Sequence, residues 1–72
     1  MKKAYEYLLL KRNGNSDGLI YDRLVFEESK EARKQFKKDD ILLKCRAESI
    51  YYADNWKCWT VMNKDIVSVY EK

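Results

Sequence analysis

The chain contains no histidine and no proline, and only two glycines and two cysteines among its 72 residues. Each shortage closes off a class of chemistry. Without histidine the commonest general base is missing, and so is every Ser–His or Cys–His pairing that activates a nucleophile. Cys45 and Cys58 have no histidine to help them complete the four ligands of a tetrahedral zinc site. Gly14 and Gly18 build neither GxxxxGK nor GxGxxG, so the chain encodes no phosphate-cradling loop.

Long hydrophobic runs are missing too. A membrane-crossing helix needs roughly 20 apolar residues, whereas Leu8-Leu9-Leu10 ends at Lys11-Arg12. Met1-Lys2-Lys3 ahead of that run imitates the start of a secretory signal, but Glu6 interrupts it. Repeats, low-complexity tracts and tails of one charge sign are absent. The expectation is a soluble, cytoplasmic protein, folded as a single domain over residues 1–72 and making no membrane contact.

What is present is charge of both signs, aromatic residues and lysine. Fifteen Lys and Arg stand against twelve Asp and Glu, a net charge of +3. That balance permits a nucleic-acid or acidic-protein partner without demanding one. A domain of this size buries only about 60% of the surface its unfolded chain exposes, so most large side chains are expected in the core. Usage rich in Lys and Tyr and free of His and Pro is associated with AT-rich genomes, phages and other mobile elements among them.

Residues 4–12 and 19–26 are rich in aromatic and branched side chains and read as strands, joined by the turn formers Asn13-Gly14-Asn15-Ser16-Asp17-Gly18. Residues 27–38, EESKEARKQFKK, lack β-branched side chains and read as a helix with Ser29 as its N-cap. Glutamates come first and lysines last, which complements the helix dipole. Ser29, Ala32 and Phe36 share one side of this helix, and Lys30, Arg33, Lys34, Lys37 and Lys38 the other.

Asp39-Asp40 ends the helix, and from Ile41 the period becomes two. The segment from 41 to 53 is either one strand or two separated by a bend, and two further strands follow. The fold class is therefore α+β, a small curved antiparallel sheet of four to five strands with one helix in the order ββαβββ, or ββαββ if 41–53 is continuous. A closed SH3-like small barrel is the alternative.

Residues 51–61, YYADNWKCWTV, form an aromatic hairpin. With Asp54-Asn55 as a two-residue turn, Ala53, Trp56 and Cys58 fall on a charge-free face that continues from Ile41, Leu43 and Cys45. That face is expected to be core. The opposite face gathers Lys44, Arg46, Tyr52, Lys57 and Trp59. Cations interleaved with aromatic rings suit an interface anchored by Trp, Tyr and Arg, and equally a surface that stacks bases and contacts phosphates. The structural reading of the same pattern is a second core layer with Lys and Arg stems reaching outward.

Three other patterns fail. Asn13, Asn15, Asp17 and Gly18 match the first half of an EF-hand loop, but the bidentate glutamate position holds Leu24. Asp22 with Glu28-Ser29-Lys30 has the residue order of a D…ExK nuclease, at a spacing too tight to enclose a metal. On a straight strand Cys45 lies roughly 20 Å from the position facing Cys58, beyond the ~7 Å that a disulfide spans. Two buried, reduced thiols are expected.

These exclusions leave a non-catalytic binding protein with no cofactor and no metal. The expected partner is a host protein or nucleoprotein complex, as for the inhibitors and adaptors that phages and other mobile elements direct against host machinery such as defence systems. The alternative is a nucleic-acid-binding domain. The candidate contact residues are Lys44, Arg46, Tyr52, Lys57 and Trp59 on the hairpin face, and Lys30, Arg33, Lys34 and Lys37 on the helix.

Overall fold

A computed structural model describes residues 4–12 and 21–72. The turn-forming stretch 13–18, tested above as a calcium loop, lies outside the described residues. The elements run β1 (Tyr5–Arg12), β2 (Tyr21–Phe26), α1 (Ser29–Gln35), β3 (Ile41–Arg46), β4 (Tyr51–Ala53), β5 (Cys58–Thr60), a 3-10 turn (Asn63–Asp65) and β6 (Ile66–Glu71). Four strands form one antiparallel sheet in the order β2-β1-β3-β6, while β4 and β5 form a separate hairpin.

The α+β class with one helix is therefore observed. The strand count is corrected from four or five to six among the described residues: 41–53 is divided into two strands, as one of the two readings allowed, and the order becomes ββαββββ. The bend between them has a local cause. Ala47 N–H donates to the Ala4 carbonyl (3.0 Å), extending the ladder by one residue, and then Glu48 takes a left-handed φ of 64°. The Glu6 carboxylate accepts the Glu48 N–H, and Ser49 N–H returns to the Arg46 carbonyl. The barrel alternative finds no support, since β2 and β6 are opposite edges of an open sheet.

Register explains the leucine run in β1. Leu9 faces Leu24 on one side and Leu42 on the other, while Leu8 faces Val25 and Leu43. Side chains alternate across a strand, so Tyr7, Leu9, Leu24, Phe26 and Leu42 share the face on which Ala32 and Phe36 sit. Leu8 and Cys45 lie on the opposite face and are buried as well. The centre of the sheet is covered on both sides, and a strand covered on both sides reads as a continuous apolar run.

The helix is shorter than 27–38 and begins one residue earlier than a Ser29 cap would require. Glu28 occupies the N-cap with extended dihedrals, no side chain caps it, and Ser29 is already helical. The other end is set by Asp40. In a continuing helix Lys37 N–H would bond the Arg33 carbonyl, but Phe36 N–H takes that carbonyl (3.3 Å) and Lys37 N–H turns to the Asp40 carboxylate (2.9 Å).

Asp40 is 3% exposed and accepts two further hydrogen bonds, from Arg12 N–H at 3.0 Å and from the Lys11 ammonium at 3.2 Å. Lys11 also donates to the Gln35 carbonyl at the end of α1 (2.9 Å). Burial alone would raise the Asp40 pKa. The Arg12 and Lys37 N–H groups and the Lys11 charge outweigh it, so the carboxyl stays below the ordinary aspartate value.

A depressed carboxyl stabilises the fold above its unfolded-state pKa, and that contribution is lost as pH falls through the folded value. Acid melts followed by circular dichroism should show stability declining below the ordinary aspartate range, and Asp40→Asn should flatten that decline. Asp40→Ala leaves Arg12 N–H, Lys37 N–H and the Lys11 ammonium without their acceptor. The expected cost is about 3 kcal/mol, somewhat under the range for fully buried pairs because Lys11 reaches water.

Candidate aromatic hairpin

The hairpin differs from its expected register. Tyr51 faces Thr60, Tyr52 faces Trp59 and Ala53 faces Cys58, which leaves Asp54–Lys57 as a four-residue turn rather than a two-residue one. Trp56 N–H closes the turn on the Ala53 carbonyl (3.1 Å), and Lys57 brings the chain back with a φ of 53°. A four-residue loop of this kind is a common hairpin solution. It moves Trp56 out of the strand altogether. The core assignment of Trp56 is overturned: it stands at the tip, 79% exposed.

Opposed residues share a face. Ala53, Cys58 and Thr60 are half-buried on one side of the hairpin, joined by exposed Tyr51. Tyr52 and Trp59 project from the other side, both exposed, with their rings edge to face at 5.5 Å and 78°. Met62, three residues beyond Trp59, is exposed as well. The hairpin is fastened to the main sheet where Arg23 of β2 donates from its guanidinium to the Trp59 carbonyl (3.0 Å). Arg23 faces Leu10 in the register, on the side of the sheet away from α1.

The face expected to join Lys44, Arg46, Tyr52, Lys57 and Trp59 is divided. Lys44 and Arg46 belong to β3 on the helix side of the sheet, where Lys44 Nζ sits 4.2 Å from the centre of the Tyr5 ring. β5 packs near β2, with β1 between β2 and β3. Tyr52 and Trp59 stay together, Lys57 is exposed in the turn beside them, and Lys44 and Arg46 do not join them. The division follows from the Glu48 bend, since a continuous strand would have carried one face from Lys44 to Tyr52.

On the helix Lys30, Arg33 and Lys34 are exposed, and Lys37 is exposed just beyond its end. Lys34 lies 3.8 Å from Glu31 in an exposed pair, which contributes little. Both cysteines are free. Cys45 is fully buried and its thiol is pushed up to about 11, by burial first and then by the negative charges of Glu6 and Asp65. Cys58 is only half-buried, contrary to the expectation for both. Among the described residues no cluster of His, Cys, Asp and Glu can hold a metal ion, and no helix is long and apolar enough to cross a membrane.

Comparison with protein-family models, curated protein sequences and solved structures returns no match.

Two measurements check this geometry. Trp56→Ala should shift thermal stability by less than about 1 kcal/mol, as a surface change does, whereas Trp59→Ala should cost about 1–2 kcal/mol because it removes the ring pair with Tyr52. A thiol reagent at neutral pH should modify Cys58 in the native protein and reach Cys45 only on unfolding. Equal reaction at the two thiols would contradict the full burial of Cys45.

Proposed function

We propose that the protein acts by binding another protein through the aromatic hairpin, without catalysis. The observation that carries this reading is Trp56, the largest side chain type in the sequence, exposed at the tip of a turn beside exposed Tyr52 and Trp59. Exposing Tyr51, Tyr52, Trp56, Trp59 and Met62 within one short segment leaves apolar area in water that the fold does not use. Trp and Tyr lose little side-chain entropy on being covered and dominate the energetics of protein interfaces. The partner proposed is a host protein or nucleoprotein complex, occupied by a small inhibitor of the kind that mobile elements produce. Small size, composition and the missing histidine support that context.

A nucleic-acid surface is the second reading. It draws support from the exposed cations of α1 and its C-terminal extension, Lys30, Arg33, Lys34 and Lys37, which lie apart from the hairpin. Salt separates the two. Binding to duplex or single strands would weaken steeply with ionic strength, and replacing Arg33, Lys34 and Lys37 together would flatten the dependence.

The test is capture of partners from lysate with and without nuclease treatment, followed by affinity measurement on whatever is retained. Hairpin binding predicts retention after nuclease, a loss of about 2 kcal/mol or more for Trp56→Ala or Trp59→Ala, and little effect of the triple change on α1. Affinity unaltered by both tryptophan changes would refute the hairpin as the contact surface.

A further inference from the structure

The two edges of the main sheet are treated differently. β2 carries Asp22 and Arg23, and β5 packs against it. The other edge, β6, reads IVSVYE, and among the described residues no strand pairs with its outer side. It contains neither Lys nor Pro, the residues that commonly guard an edge, and its one charge is Glu71 at the end. Val67, Val69 and Tyr70 on this strand are all exposed, Val69 to 55%. A bulge falls at Val67, because Lys44 faces Ser68 while Cys45 faces Ile66. It disturbs only the start of the strand, and Ser68 to Glu71 pair regularly with Lys44 to Ile41.

We propose that β6 is a homodimer interface, at which a second copy of this chain adds its own β6 antiparallel about a two-fold axis near Val69, joining two four-stranded sheets into one of eight. The sequence of the strand complements itself in this arrangement. Register and face are preserved when Val69 meets the partner's Val69 and Tyr70 meets the partner's Ser68. The first is a β-branched cross-strand pair, and the second sets a large ring against a small residue. The charges agree as well. Glu71 then lies opposite the partner's Val67, which separates the two Glu71 positions by roughly 13 Å along the strand, more than the ~8 Å screening length at physiological salt. Parallel addition would instead bring the two carboxylates side by side. Each strand's outward N–H and C=O groups gain partners, as in other cases of strand addition, and the contact is isologous, as a two-fold dimer requires.

Sedimentation of the whole chain between about 1 and 200 µM, the span in which a micromolar Kd is read, tests the proposal. The wild-type protein should pass from monomer to dimer across this range. Val69→Lys should remain monomeric at every concentration while keeping the wild-type circular dichroism, since the side chain is exposed. Trp56→Ala should dimerise as the wild type does, because the hairpin lies at the opposite edge. A mixed sample of isotope-labelled and unlabelled wild-type chains should give interchain NOEs between Val69 methyl groups. A wild-type protein that stays monomeric throughout overturns the proposal. So does a dimer that survives Val69→Lys, one that is lost in Trp56→Ala, or one that shows no interchain Val69 contact.

Discussion

A single buried carboxylate, that of Asp40, joins three elements of this fold. It takes the Arg12 N–H at the end of β1, the Lys37 N–H just past α1, and the Lys11 ammonium that also reaches the last carbonyl of the helix. Asp40 itself begins the run into β3. Taking a charge out of water is costly, and the cost is offset only when the surrounding donors are already in place. The group therefore favours one arrangement of these elements over others. In that arrangement the chain leaves the helix at Phe36, whose side chain packs with Leu9, Ala32 and Leu42. The Lys72 ammonium covers the same Phe36 ring from 5.3 Å, tying the end of β6 to the corner.

The core that this corner organises is small. Leu8, Leu9, Ala32, Phe36, Leu42 and Cys45 are the buried apolar residues among those described. They sit on both faces of β1 and β3, so two thin layers share the work that a larger protein gives to one thick layer. Ala32 is fully buried on the helix against Leu9, Phe36 and Leu42, and a bulkier residue there would overpack this contact. Of the aromatic side chains, Phe36 is buried in these layers and Tyr7 and Phe26 pack against them. Both tryptophans and Tyr5, Tyr51, Tyr52 and Tyr70 lie outside, against the expectation that so short a chain needs most of its large side chains inside.

The succession of β2, α1 and β3 was legible because it rests on local periodicity. The change from period two to a helical period and back again marks β2, α1 and β3 without knowledge of the tertiary structure. The helix boundaries were not legible, since the exit is imposed by a carboxylate three residues beyond Lys37 rather than by propensity. The hairpin register failed for a related reason. Asp39, Glu48 and Lys57 all adopt left-handed φ, and none of them is a glycine. Such conformations are unfavourable for residues with a Cβ and are held by their surroundings, so composition gives little sign of them. Two of these three turns, at Glu48 and Lys57, decide where the hairpin points and which tryptophan it exposes. Tyr52 and Trp59 were correctly paired on one face, because every register of the same parity places them together.

The attachment of the hairpin has a dynamic consequence. Two strands of three residues form too little structure to persist alone in water, and this pair is fastened to the sheet through the Arg23 guanidinium and the half-buried side of Ala53, Cys58 and Thr60. Its amide protons should exchange by local opening at a lower free energy than those of β1 and β3, whose exchange requires unfolding of the centre. A ligand that covers the aromatic rings must also hold this ribbon closed, and part of its intrinsic attraction is spent on that ordering. Residence time on such a surface then depends on the stiffness of the ribbon as well as on the rings it presents.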